Sequence, residues 1–116
     1  MSGIEYLLDT KVLIYIMQGN PAVRYFSQTD VFALSVITEM ELLGKYRIDH
    51  TEKSIITRLL KDSRIFEIDF SVKQKAIEIR QQHKIKLPDA IIAATAISQG
   101  LSLVTADLRS ATRAAA

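Results

Sequence analysis

The feature that most constrains this chain is an alternation: four short apolar runs are separated by stretches in which apolar residues recur every three to four positions. The runs are IEYLL (4–8), VFAL (31–34), RIFEI (64–68) and LSLVT (101–105), each short and bounded by polar residues as buried strands are. Between them lie helical patterns. TKVLIYIMQ (10–18) ends at Gly19, and Asn20-Pro21 opens a short helix toward Ser27. Ser35 is placed to cap SVITEMELLGKY, and Thr51 to cap TEKSIITRLLKD. Ser71 heads a basic helix with Val72, Ala76, Ile79 and His83 on one face, and Pro88 starts AIIAATAISQ, which Gly100 stops. Strands joined through helices run parallel, so the sequence predicts an α/β three-layer sandwich: a central parallel sheet of four to five strands with helices on both faces. The small residues Ala90, Ala93, Ala94 and Ala96 would let the Pro88 helix lie close against that sheet.

At 116 residues the chain reads as a single domain, 1–116, long enough to bury a core unaided. It has no cysteine, which removes disulfides, thiolate metal sites and a thiol nucleophile from consideration and suits a reducing cytoplasm. MSGIEYLLDT is not a signal peptide, and no apolar run approaches the roughly 18 residues of a membrane span, so a cytoplasmic protein with no membrane partner is expected. The closing Ala-Ala-Ala reads as an appended scar. Net charge is only +2, but it is unevenly spread: Lys73, Lys75, Arg80, Lys84 and Lys86 face a single acid, Glu78, over one stretch. That stretch is either a solvated helix face or a patch for nucleic acid.

Sites in open parallel sheets form outside the carboxyl ends of the strands. Asp9 directly follows the first strand, and Asp107 comes two residues after Thr105. Asp89 opens a helix whose preceding loop, HKIKLP, must cross the same edge, and Glu41 lies two turns into the helix that leaves the second strand. Each acid has a structural reading of its own: Asp9 as a helix cap, Asp89 as a charge answering the helix dipole, Asp107 as a turn residue. Glu41 is harder to dismiss, because a glutamate on a sheet-facing helix is costly to bury unpaired. Together they imply more. Two carboxylates about 5 Å apart repel by roughly 3 kcal/mol at an effective dielectric of about 20. An oxygen-only cluster is best neutralised by Mg²⁺ or Mn²⁺, which points to phosphodiester hydrolysis by a metal-activated water.

YLLDTKVLIY, SVITEMELLGK, LPDAIIAATA and LSLVTADLR, together spanning nearly the whole chain, resemble in order and spacing the four signature segments of PIN-domain ribonucleases, especially the VapC-type toxins of toxin–antitoxin pairs. The resemblance implies that Asp9, Glu41, Asp89 and Asp107 form the catalytic Mg²⁺/Mn²⁺ site, and that Thr10 and Thr105 are hydroxyls positioning the acids or a water. It also implies endonucleolytic cleavage of RNA, a homodimer, and inhibition by a cognate antitoxin. Lys45, Arg47, Lys73, Arg80, Lys84 and Lys86 are the expected RNA contacts, made mainly to phosphates, since no aromatic pair is spaced like a base-stacking strand motif. Tyr6, Tyr15, Tyr25 and Tyr46 read as core or dimer-surface residues.

The chief alternative is a catalytically weakened PIN-like module that binds RNA or protein. Its basis is Lys11, where the family usually has a short polar residue, and Ser110, where it often has a second acid. A dehalogenase-type phosphatase would need an acid in place of Lys11, and a receiver domain would need paired acids early and a lysine where Asp107 stands. Neither His50 nor His83 falls where a catalytic base is needed.

Overall fold

The computed structural model describes residues 6–21 and 33–106. Its elements are β1 (Tyr6–Leu8), α1 (Thr10–Met17), β2 (Ala33–Ser35), α2 (Val36–Leu43), α3 (His50–Lys61), β3 (Arg64–Phe66), α4 (Phe70–Gln82), α5 (Leu87–Gln99) and β4 (Ser102–Val104). The expected helix toward Ser27, the first residues of the runs at 4 and 31, Tyr25, Asp107, Ser110 and the terminal alanines lie outside the described residues.

The strands form one all-parallel sheet in the order β3-β2-β1-β4. Successive side chains of a strand point to opposite faces, and two different cores result. Leu8 and Leu34 face one side, where they meet Val12 and Leu13 of α1, Leu42 of α2, and Ile56 and Leu60 of α3. Leu7 and Ala33 face the other, under Ile92 and Ala96 of α5. The pairings Leu7 with Leu103 and Leu8 with Val104 carry the same division into β4. Helices therefore cover both faces of a four-stranded sheet, as the alternation of runs predicts.

The alanines of α5 are used differently from expectation. Ala90, Ala93 and Ala94 pack against Val72, Ala76 and Ile79 of α4, so most of the small residues bring two helices together, while Ile92 and Ala96 take the sheet. Two caps also move. Asp49 Oδ1 accepts from Glu52 N at 2.7 Å and heads α3 in place of Thr51. Asp69 Oδ1 accepts from Val72 N at 2.8 Å and heads α4, while the Ser71 hydroxyl bonds to that of Ser98. In both cases an aspartate stands two residues upstream of the hydroxyl and wins, as a charged acceptor facing orphan N–H groups should. Ser35 caps α2 through Ile37 N as anticipated. Pro88 lies in the first turn of α5, and Gly100 ends that helix at φ 66°, a left-handed geometry that favours glycine.

Candidate active site

The sheet changes direction at β1: the chain steps outward to β2 and β3, then returns to place β4 on the other side of β1. Ligand sites gather at the carboxyl ends of such a pair, and the first residues there are Asp9 after β1 and Thr105 after β4. Asp9 N donates to Val104 O at 3.0 Å, tying the two strand ends together. The Asp9 carboxylate caps α1, with Oδ1 accepting from Val12 N at 2.8 Å, while Oδ2 accepts from the Thr105 hydroxyl. The cap holds the Asp9 carboxylate at the carboxyl end of β1, so capping is compatible with a place on the site.

Thr10, the first residue of α1, turns its hydroxyl toward α2, where Oγ1 lies 2.6 Å from Glu41 Oε1 and 3.0 Å from Thr38 Oγ1. Glu41 is exposed and Thr38 fully buried. Asp89 stands in the first turn of α5, where the dipole favours a carboxylate.

Asp9, Glu41 and Asp89 line one cavity of about 1320 Å³, together with Thr10, Thr105 and Lys11. Among the described residues no three His, Cys, Asp or Glu side chains come close enough to hold a metal ion jointly. The meeting of four acids expected from sequence is therefore seen as three acids sharing one cavity wall, two of them held by hydroxyls, with Asp107 outside the described residues.

The basic candidates divide. Lys45, Arg80, Lys84 and Lys86 line the acidic cavity; Arg47 and Lys73 do not. Lys45 Nζ is paired with Glu52 at 2.8 Å, and that hydrogen bond and charge raise its pKa above the usual lysine value. Arg47 sits over the Tyr46 ring at 5.6 Å and Lys73 over Phe70 at 5.3 Å. Tyr46 is largely exposed. Arg80 Nε donates to Ile85 O at 3.2 Å, bracing the loop that leads into Asp89. Lys11 is exposed at the cavity and forms no ion pair among the described residues. His50 opens α3 on the surface and His83 ends α4; neither lines the acidic cavity. Thr38, bonded to Thr10, and Glu52, on the cavity lining, are site neighbours that sequence reasoning passed over. The T-x-x-E spacing puts Thr38 and Glu41 on one helix face but does not disclose that both hydrogen-bond to Thr10.

A parallel sheet whose switch point opens on a cavity lined by both carboxylates and basic side chains defines an α/β protein built to work at the carboxyl edge of its strands. The chain belongs to the PIN-domain family, whose model matches residues 6–116. It is 32% identical over 119 residues to Ribonuclease VapC2 of Haemophilus influenzae, covering 91% of this chain and 89% of that one. Among solved structures it resembles a toxin–antitoxin complex from Klebsiella pneumoniae, with a TM-score of 0.79, 29% identity, and coverage of 91% and 89%. It also resembles FitAcB from Neisseria gonorrhoeae, with a TM-score of 0.77, 28% identity, and coverage of 95% and 93%. Among the described residues no helix is long and apolar enough to cross a membrane.

Proposed function

We propose that this chain is a single-domain, Mg²⁺- or Mn²⁺-dependent endoribonuclease and the toxin of a toxin–antitoxin pair. The observation that carries the reading is the placement of Asp9, Glu41 and Asp89 on one cavity at the switch point of a PIN-domain sheet. The ribonuclease relative from Haemophilus influenzae supports the reaction, and the Klebsiella pneumoniae complex supports an antitoxin partner. A homodimer completes the proposal. It is supported by exposed Ile68, Ile77 and Leu87 around a second cavity, of about 580 Å³, beside α4 and α5.

The donors around the acidic cavity are carboxylate and hydroxyl oxygens, which suits a hard divalent cation. Asp9, Asp89, Glu41 and Asp107 would hold it, directly or through water. When bound, the ion would make the attacking water more acidic and stabilise the leaving oxygen. The chain's own residues do the rest. Asp9, pinned by Val12 N, Thr105 and Val104 O, is a preorganised anchor that needs no rearrangement on loading. Glu41, steadied by Thr10, is placed to accept a proton from attacking water. Arg80, Lys84, Lys86 and Lys11, lining the cavity, meet the phosphates of a bound RNA.

The test is cleavage of a structured RNA pool in Mn²⁺ by the wild type, Asp9→Asn and Asp89→Asn. Cleavage by the wild type and its loss in both variants is expected. Persistence of cleavage in both variants overturns the site, and tight RNA binding without cleavage by the wild type makes the chain a binding module.

A further inference from the structure

We infer that Thr38 is a positioning residue, the buried end of a hydroxyl chain that fixes the carboxylate of Glu41 over the acidic cavity; this rests on the proposed role of Glu41. Glu41 is an exposed side chain on α2, and three rotatable bonds would let it sweep through solvent. Among the described residues one group restrains it, the Thr10 hydroxyl, at 2.6 Å from Oε1. A threonine hydroxyl has one proton. With Glu41 ionised, that proton belongs on the carboxylate, where a charge-assisted bond is the stronger choice. The Thr10 oxygen is then left as an acceptor, and the group 3.0 Å away is Thr38 Oγ1.

Thr38 has no solvent to turn to, being fully buried, and no buried polar side-chain atom among the described residues lacks a partner. Its proton therefore points to Thr10 and the order is Thr38 to Thr10 to Glu41, each bond polarising the next. The geometry has a second consequence. Thr10 immediately follows Asp9, so the chain couples the carboxylate on α2 to the one that caps α1. Two acids 32 positions apart in sequence are thereby linked through the adjacent residues Asp9 and Thr10.

The experiment is a kinetic cycle in Mn²⁺ on a defined RNA, using Thr38→Val, Thr38→Ser, Glu41→Gln and the double variant Thr38→Val/Glu41→Gln. It is joined to a crystal structure of metal-free Thr38→Val. Valine matches threonine in shape and removes only the hydroxyl, and serine restores that hydroxyl. The expected result is a kcat lowered about tenfold in Thr38→Val, the scale of one lost hydrogen bond to a charged chain, with KM within about twofold. Recovery in Thr38→Ser, no further loss in the double variant beyond Glu41→Gln, and a displaced Glu41 side chain in the crystal are expected with it. A wild-type kcat in Thr38→Val, or an equal loss in the wild-type and Glu41→Gln backgrounds, overturns the inference. A wild-type kcat in Glu41→Gln instead overturns the role of Glu41 itself, so the two failures are told apart.

Discussion

Asp9 caps α1 and, in the proposed function, also anchors the metal site, and substitution can separate the two. Asparagine caps a helix about as well as aspartate, because both offer an oxygen to the second or third N–H of the first turn. Asp9→Asn should therefore leave the thermal midpoint within a few degrees while abolishing RNA cleavage. Asp9→Ala should lose cleavage and also about 1 kcal/mol of stability, read from denaturant unfolding, because Val12 N then has no acceptor. How much of the site the sequence discloses varies residue by residue. The placement of Asp9 and Asp89 on one cavity is legible because an acid beside a strand end or a helix start has a predictable position, and that of Glu41 because it lies two turns along the helix that leaves the second strand. Thr38 is not, because a helical threonine looks the same whether its hydroxyl meets its own backbone or, as here, a residue 28 positions away.

Among the elements, α5 is the most tightly constrained, lying between α4 and the sheet. Ala93 is buried among Val72, Ala76 and Ile79, and a larger side chain has nowhere to go. Ala93→Leu should destabilise by about 1–3 kcal/mol through overpacking, whereas Ile97→Leu, on the exposed face of the same helix, should be close to neutral by the same denaturant titration. The existence and order of these elements follow from apolar spacing, and the stops at Gly100 and Pro88 from local backbone preference. Which neighbour a small residue packs against does not follow. An alanine stripe permits close approach to a helix or to a sheet, and the choice is made by side chains distant in sequence. The helix starts at Asp49 and Asp69 are illegible for a related reason: moving the first residue by two does not change the phase of the buried face, so periodicity cannot choose between neighbouring caps.

Across the whole molecule the small net charge conceals a local concentration of both signs, with acids and cations lining the same cavity. The basic side chains attract a phosphate chain, and the carboxylates repel it unless a metal cation neutralises them. Apart from Lys45, which pairs with Glu52, the basic side chains lining the cavity among the described residues are Lys11, Arg80, Lys84 and Lys86. About four phosphate contacts to a single strand give a slope of roughly −3 in log affinity against log salt. Measured on Asp9→Asn to prevent cleavage, Lys86→Gln should flatten that slope by roughly 0.7. Lys73→Gln, away from the cavity, should leave it unchanged.

The most direct measurement is a crystal structure of the chain soaked in Mn²⁺ and phased on the anomalous signal of the metal. An anomalous peak about 2 Å from carboxylate oxygens of both Asp9 and Asp89 is the expected result, that being the ordinary reach of a small hard cation. Fully ordered carboxylates with no peak between them at saturating Mn²⁺, or a peak bound only elsewhere on the molecule, would contradict it.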